Sequence, residues 1–499
     1  MKYTAINIGP IISTIAMARK PRELWSASYL FSHLMKCIYE EIERKGLTII
    51  SPDKPQCEKN KIGIYPDRIF VKGDFDVKAI LEKAKITFQK NTGISNTCLE
   101  QYFNLMSVTI DSDKEVNNEA TAIGFLNQEL DVLELCNYAA DREASDEVRG
   151  IISKTNNSPL FQMESGNKDK FPYDVNTLAE IATAELMEIN KEKWKKIRGE
   201  VEVDESDFYK RIASAKVSEW KLKSHHKYFC VVQADGDNVG KTVSHKELQD
   251  GKVKVISKAL VEFGKQAADL IEGYGGLPIY AGGDDLLFIA PVIGKDGSNI
   301  FELIKNIEDK AFCGVKEKVD NNRLKDDKGT PIEASLSFGI AISYYKYPLY
   351  EAFELARRQL LDVAKDKNRF PDKKTVAWSF RKHSGGTFNV AFSLKGNDLQ
   401  KNINSLINAT VGNDVVSAVA HKIREHEALV KTVMKSASDS RLDGLFKNVL
   451  EFKDNAYFNA VKKIMPVFYK AVGEENFIPM LYSLLRTAKF IKGEDLRDE

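Results

Sequence analysis

At 499 residues the chain is too long for one hydrophobic core, and three or four domains are expected. Lysine and arginine total 73 against 72 acidic residues, so no global basic field points to nucleic acid, and any such contact would need a local basic face. Apolar residues at 43% and charged ones at 29% describe an ordinary soluble protein. Gly9-Pro10 breaks the first apolar stretch, which reads against a signal peptide. No window reaches the roughly 18 uninterrupted apolar residues of a membrane span. Cys37, Cys57, Cys98, Cys136, Cys230 and Cys313 form no CxxC pair, which argues against a disulfide framework and a four-cysteine zinc site. A reduced, cytoplasmic protein without zinc is expected.

In chain order, Tyr3 to Ile8 reads as a strand and Gly9-Pro10 as a turn. Pro21 suits the first turn of a helix that carries Leu24, Phe31, Leu34, Ile38 and Ile42 at helical spacing. A β segment follows from Ile62 to Val71, containing Tyr65-Pro-Asp-Arg-Ile-Phe70, and another strand from Tyr102 to Ile110. Residues 1–110 are thus expected to form a small α/β domain. Residues 111–222 carry helical periodicity, interrupted by the polar stretch Ser165 to Lys170. The lysine- and acid-rich run from Asn190 to Lys223 reads either as solvated helix faces or as a basic surface for RNA.

From Tyr228 the pattern changes again. Tyr228 to Ala234 is an apolar run of strand length, expected to be a buried central strand. A helix with Val253, Ile256, Leu260, Phe263, Ala267 and Leu270 follows. Leu277–Ala281 and Leu286–Ala290 flank a four-residue turn and predict a hairpin. A helix over Asn299 to Val319, a strand over Ala334 to Tyr344 and a helix over Leu349 to Lys365 complete the order of a ferredoxin-like palm, assigned to residues 223–396. Residues 397–499 are helical only and predict a C-terminal bundle.

Two acidic motifs sit behind apolar strands in this palm: Asp235-Gly-Asp-Asn-Val-Gly240 at a strand end and Gly282-Gly-Asp-Asp285 in the hairpin turn. Palm topology places these strands side by side, so Asp235 and Asp284 converge. Hard divalent cations take carboxylate oxygens, and two of them can bridge a triphosphate and activate an attacking hydroxyl. Gly282 and Gly283 let the backbone turn tightly and approach a phosphate. Glycine and aspartate are also plain turn residues, but two such acid clusters about 50 residues apart, each behind an apolar strand, exceed what a turn requires. A metal-dependent nucleotidyltransferase hung on Asp235, Asp284 and Asp285 is the expected activity. Lys365 could reach a triphosphate as a point charge, or serve as a favourable cation at a helix C-terminus. A metal role for His225-His226 is a minor alternative.

These residues resemble the large subunit of type III CRISPR effector complexes, of the Cmr (III-B) kind. The resemblance rests on Tyr280 to Asp285, on Asp235 to Asp237, on Ser335-Leu-Ser-Phe-Gly-Ile340 with Tyr347-Pro-Leu-Tyr350 and Ala364-Lys365, and on Gly9-Pro10, Ala18 to Trp25 and Ser28-Tyr-Leu30. It implies an α+β fold of two ferredoxin-like palm domains packed face to face, plus two helical domains. It implies ATP as substrate, two Mg²⁺ or Mn²⁺ ions, and synthesis of an adenylate second messenger when the complex binds target RNA. Asp235 and Asp284 would be metal ligands, assisted by the Gly236 carbonyl; Asp285 would be the second acid of the motif and Lys365 a phosphate contact. The implied partners are other Cmr-type subunits, guide RNA and target RNA, with no membrane.

Three departures from the family pattern follow. The chain has no His-Asp dipeptide, so no DNase activity is expected; it lacks paired cysteines, so no zinc is expected. Asp67 stands where a neutral amide is usual. An acid there would repel a second triphosphate and attract a cation. S-adenosylmethionine carries a sulfonium and an ammonium, and some relatives join AMP to it. The expectation is adenylyl transfer from ATP to an adenosine-bearing acceptor, leaning to S-adenosylmethionine with Asp67 as an acceptor contact. Alternatives are that Asp67 only pairs with Arg68 or a lysine, that the product is cyclic oligoadenylate, that the chain is a free-standing diguanylate-type cyclase, or that it is a catalytically silent scaffold.

Overall fold

The computed structural model describes residues 1–55, 62–135, 141–153, 158–162, 177–189, 222–371, 373–395, 398–410, 413–436, 438–450 and 456–493. Two sheets organise the chain. The first contains β1 (Lys2–Gly9), β2 (Thr48–Ser51), β3 (Arg68–Lys72) and β4 (Asn104–Asp111) in the order β2-β3-β1-β4. All its pairings are antiparallel. With the helix Pro21–Arg44 after β1 and the helices Val77–Thr92 and Asn96–Tyr102 after β3, this is the ferredoxin-like order.

The second sheet repeats that plan. Its core is β5 (Tyr228–Asp237), β6 (Leu277–Gly282), β7 (Asp285–Pro291) and β8 (Ser335–Tyr344). The helix Lys252–Tyr274 follows β5. Two further strands, β9 (Thr375–Arg381) and β10 (Thr387–Ser393), extend it to the order β10-β9-β8-β5-β7-β6. Strand β5 is central and covered on both faces: Phe229 and Val231 face one core, Cys230 and Val232 the other. That double burial is why it reads as a continuous apolar run.

The two α/β units pack through their helices, each against the other unit. The Pro21–Arg44 helix is buried on nearly every side, because it packs both on its own sheet and against Phe229, Val231, Ile279 and Leu287 of the second. Ser28 Oγ donates to the Ile279 carbonyl at 3.0 Å. Reciprocally, Ser257 on the Lys252–Tyr274 helix accepts from Asp53 N–H at 2.7 Å, just beyond β2. The Ala281 N–H donates to the Gly63 carbonyl at 2.9 Å, so a loop of the first unit adds a rung to edge strand β6.

Between the sheets in sequence lie the helices Glu119–Glu134, Arg142–Ser153, Pro159–Gln162, Leu178–Ala182 and Ala184–Ile189. The first is capped by Asn118 in a capping box with Thr121 and lies on β1 and β4. The polar stretch Ser165 to Lys170 and nearly all of the expected basic surface from Asn190 to Lys223 fall outside the described residues. C-terminally, the helix Ala456–Lys492 lies on β10, and the helices Asp398–Ala409, Asn413–Glu425 and Glu427–Ser436 pack on that helix. The last helix bends at Gly473 (φ 76°, ψ 164°), and its Thr487 accepts from Trp378 Nε1 at 3.3 Å.

The structure revises several element bounds. Of the Ile62–Val71 segment, only the part from Arg68 on is strand; the loop before it goes to β6 instead. Tyr102 ends a helix, and the strand starts at Asn104. The helix expected over Asn299 to Val319 is broken by a π turn at Ile307–Ala311, and that over Leu349 to Lys365 passes into one at Gln359–Ala364. A wide turn of this kind redirects the residue that follows it, here Lys365. No helix is long and apolar enough to cross a membrane among the described residues.

Candidate active site

The site begins where β5 ends. β5 pairs antiparallel with β7 on one side and β8 on the other, so Asp235 and the β6–β7 turn reach the same edge of the sheet. Gly282 pairs with Asp285 across a two-residue loop in which Gly283 has φ +67°. Glycine at the first position of such a loop suits the right-handed twist of a hairpin. Gly236 N–H donates to the Asp284 carbonyl at 3.1 Å. A Cβ on Gly236 would lie 2.5 Å from Asp284 Cβ and 2.6 Å from its Oδ2. Only glycine lets the Asp284 carboxylate lie against the β5 backbone beside Asp235. The two acidic motifs therefore meet, as the palm topology predicts.

Lys365 joins them. The helix Leu349–Arg358 presses so closely on β8 that a Cβ on Gly339 would come within 2.4 Å of the Ala356 carbonyl oxygen. Beyond the π turn, Lys365 Nζ lies 2.6 Å from Asp235 Oδ2 and 3.1 Å from Asp237 Oδ1, and donates to the Gly236 carbonyl at 3.4 Å. Asp237 has a different job from its neighbours. It is fully buried, and its Oδ2 accepts from Ser335 Oγ at 2.9 Å, Ser337 Oγ at 2.7 Å and Lys374 N–H at 3.0 Å.

Negative charge is in excess here. Burial, then the Asp235 carboxylate, pushes the Asp284 carboxyl up to about 7, against the opposing pull of its own N–H and of Lys365. Asp285 is pushed upward too, by crowding and then by Asp235, Asp284 and Asp67; it keeps an open face to solvent, which tempers that effect. Repelling carboxylates short of countercharge, with a backbone carbonyl among them, offer the all-oxygen donor set that Mg²⁺ and Mn²⁺ prefer. Asp235, Asp284 and the Gly236 carbonyl fit such an ion, with the Lys365 ammonium already beside two of these three.

A tighter group of metal-ligand types lies elsewhere, at Glu185, His225 and His226. Glu185 Oε2 is 3.0 Å from His225 Nε2 and 2.8 Å from His226 Nε2. Lys223 N–H donates to His226 Nδ1 at 2.9 Å, so the neutral ring carries its proton on Nε2, toward Glu185. That leaves no lone pair on Nε2 for an ion. The trio is a buried hydrogen-bonded clasp between the Ala184–Ile189 helix and the start of β5.

Asp67 lies just before β3, half-buried, with its carbonyl accepting from Ile8 N–H at 3.1 Å. The Arg68 guanidinium is engaged by Asn127 at 2.8 Å, Asp131 at 2.7 Å and Glu134 at 2.6 Å, and none of these bonds goes to Asp67. Burial raises the Asp67 carboxyl, with Arg68 opposing and Glu134 adding to the rise. Its charge reaches both Asp285 and Tyr280. Thus the first unit places an acid within electrostatic reach of the hairpin of the second. Sequence reading left out Tyr280 as a site residue; its ring lies over Gly282, where a Cβ would come 2.4 Å from the phenol oxygen. It also left out Lys373, which sits within electrostatic reach of Asp237 and Asp235.

Comparison with known proteins follows the same division. Residues 228–373 match the family described as Cas10/Cmr2, second palm domain, and residues 3–100 match CRISPR-associated protein Cmr2, N-terminal. The CRISPR system Cmr subunit Cmr2 of Pyrococcus furiosus (strain ATCC 43587 / DSM 3638 / JCM 8422 / Vc1) is 29% identical over 220 residues; the match spans 39% of this chain and only 23% of that relative. Among solved structures, a type III-B Cmr-beta complex in the apo state matches with TM-score 0.57 and 12% identity over 98% of this chain and 81% of that one. A Csm1-Csm4 cassette in complex with cA4 matches with TM-score 0.52 and 14% identity over 98% and 70%. At such identities the likeness speaks for the fold.

Proposed function

The chain belongs to the Cas10/Cmr2 family of type III CRISPR effector large subunits, and on that premise we propose that it transfers an adenylyl group from ATP to make a second messenger when its complex binds target RNA. The observation that carries this reading is the convergence of Asp235 and Asp284 across Gly236, with Lys365 Nζ 2.6 Å from Asp235. In the reaction, a ribose hydroxyl oxygen of the acceptor attacks the α-phosphorus of ATP. The bond from that phosphorus to the bridging oxygen breaks, pyrophosphate leaves, and the hydroxyl proton passes to the carboxylate cluster. Two Mg²⁺ or Mn²⁺ ions on Asp235, Asp284 and the Gly236 carbonyl would supply charge neutralisation of the phosphates. Gly283, with open space around it, leaves room for the phosphates at the turn, while the space at Gly282 is taken by the Tyr280 ring, a correction to its expected role; Lys365 contacts the phosphates as a point charge. Other Cmr-type subunits, guide RNA and target RNA are the partners this reading requires, in the cytoplasm.

The acceptor reading leans on Asp67. That acid lies within electrostatic reach of Asp285 and Tyr280, and the Arg68 guanidinium hydrogen-bonds to Asn127, Asp131 and Glu134. A cationic acceptor, S-adenosylmethionine, fits an acid there better than a second triphosphate does. A second reading, cyclic oligoadenylate synthesis, draws support from the fold relatives: Csm1-Csm4 cassettes are solved with cA4 and with one ATP. Mass spectrometry of products from the complex given ATP, Mg²⁺ and target RNA, with and without S-adenosylmethionine, separates them. An adduct of AMP with S-adenosylmethionine that declines in Asp67→Asn supports the first. Cyclic oligoadenylate alone supports the second. No product from an RNA-bound complex would favour a scaffold.

A further inference from the structure

Lys373 and Lys374 both occupy the left-handed region, with φ of 55° and 51°. Two consecutive lysines there are strained, and such backbone persists only where its surroundings over-determine it. Here they do. Lys373 N–H donates to the Phe370 carbonyl at 3.0 Å, and Leu394 N–H to the Lys374 carbonyl at 2.6 Å. The Lys373 carbonyl accepts from Thr375 Oγ1 at 3.1 Å and Ser393 Oγ at 3.4 Å. Lys374 N–H donates to buried Asp237, which also holds Ser335 and Ser337. The second acid of Asp-Gly-Asp thus ties this loop to the strand end that bears Asp235.

The two ammonium groups then part. Lys374 Nζ pairs with Glu308 at 2.8 Å. Lys373 Nζ turns to the Asp235–Asn238 turn and donates to Asn238 Oδ1 at 3.2 Å. Asn238 is itself left-handed, with φ of 64°. Among the described residues no carboxylate lies within ion-pair reach of Lys373, and none of Lys241, the exposed lysine on the helix Val239–Val243 that follows the turn. Lys365 holds the nearest acids. Burial lowers the Lys373 pKa, Asp237 and Asp235 oppose that fall, and the neighbouring charges of Lys365 and Lys241 add to it. A half-buried ammonium fixed on strained backbone, with a second lysine near it and no carboxylate in ion-pair contact among the described residues, is a seat for a multiply charged anion. Beside an acidic cluster, that anion must arrive with cations of its own, as a metal-bound polyphosphate does.

We propose that Lys373, with Lys241, binds the terminal phosphates of the triphosphate donor, and that Asp237 is the positioning residue that holds Lys373 in place; this rests on the adenylyl-transfer reading. The test is calorimetric binding of ATP and of AMP, with Mg²⁺, to the full chain carrying Lys373→Gly or Lys373→Arg. Glycine relieves the left-handed backbone, so Lys373→Gly should melt no lower than wild type. Its ATP affinity should fall about tenfold while AMP affinity holds, the loss expected for one charge-assisted contact. Lys373→Arg should keep ATP affinity within about threefold, since the charge remains. Equal ATP binding by wild type and Lys373→Gly overturns this assignment and leaves the adenylyl-transfer reading standing. Parallel losses for ATP and AMP overturn it as well, marking a structural loop. A wild-type chain that binds no ATP refutes the adenylyl-transfer reading, and this assignment with it.

Discussion

Gly236→Ala is the sharpest test of the site, because the structure states how far something must move. The added Cβ would sit 2.5 Å from Asp284 Cβ and 2.6 Å from Oδ2, where ordinary contact begins at 3.4 Å. Asp284 must therefore retreat by about 0.9 Å, the difference between 2.5 and 3.4 Å. The hairpin on either side is held by the Ala234–Leu286 and Gly282–Asp285 pairings, so the carboxylate shifts and the sheet does not. A misplacement of about 1 Å at a reacting centre costs roughly 10²-fold in rate, or about 2.7 kcal/mol at 1.36 kcal/mol per decade. The assay is single-turnover formation of adenylate product from ATP by the RNA-bound complex, paired with a thermal melt of the variant. The expected result is a rate about 100-fold down with Tm lowered by less than about 3 °C. A variant within threefold of wild-type rate would refute the claim that Asp284 acts from its position against β5.

Other outcomes follow from the same charges. Asp284→Ala with Asp285→Ala should abolish product while Tm holds or rises, since two mutually repelling acids are removed; a collapse of the fold would show that the turn acids serve packing. Mg²⁺ or Mn²⁺ added together with a non-hydrolysable ATP analogue to chelator-stripped protein should raise Tm in wild type and not in that double variant; equal shifts would place the ion elsewhere. The clasp at Glu185 gives a pH dependence. Burial holds His225 at about 4, below its ordinary 6.5, and the two imidazoles hold Glu185 below the usual carboxylate range. Both groups bind protons more weakly folded than unfolded: the His225 contribution is full above about pH 6.5 and is lost as pH falls toward about 4, whereas that of Glu185 is lost only below the usual carboxylate range. Thermal melts across that window should show a shallower acid slope for His225→Gln than for wild type; matching slopes would remove the clasp from the account.

The acidic edge of the second sheet was readable because its physics is local to short motifs. An apolar run ending in Asp235-Gly-Asp, and a Gly-Gly-Asp-Asp turn between two apolar strands, each encode an acid at a strand end, and ferredoxin-like order brings those ends together. The strands β2, β9 and β10 were not anticipated. β2 is four residues long, too short to show alternation, whereas β9 and β10 are seven-residue runs rich in β-branched and aromatic residues around Gly385-Gly386, a hairpin signal that the sequence does carry. Long-range polar contacts were beyond reach for a different reason. Nothing in Gly63 announces that its carbonyl will pair with Ala281, and nothing in Lys373 announces a left-handed backbone held by Asp237. Lys365 shows the limit clearly. At the end of a helix it reads as a dipole-compensating cation, and only the π turn, with Gly339 letting the helix close on β8, aims it at Asp235.

That aim bears on how the site would load. Asp235, Asp237, Asp284 and Asp285 converge with Lys365 as the one ammonium in direct contact among the described residues. Lys365 stands against Asp235 and the Gly236 carbonyl, two of the three groups assigned to a metal. An entering divalent ion therefore competes with an ammonium that is already favourably paired, and binding of the ion alone should be weak. A triphosphate changes the balance, because it gives the displaced ammonium a new partner while its own charge offsets the incoming ions. Metal and nucleotide should accordingly bind with positive coupling, each tightening the other by the same factor. Calorimetric titration of Mn²⁺ with and without a non-hydrolysable ATP analogue measures that factor. Lys365→Met, which removes the competing ammonium, should tighten Mn²⁺ binding in the absence of nucleotide and shrink the coupling. Unchanged Mn²⁺ affinity in that variant would mean that Lys365 and the ion occupy separate places.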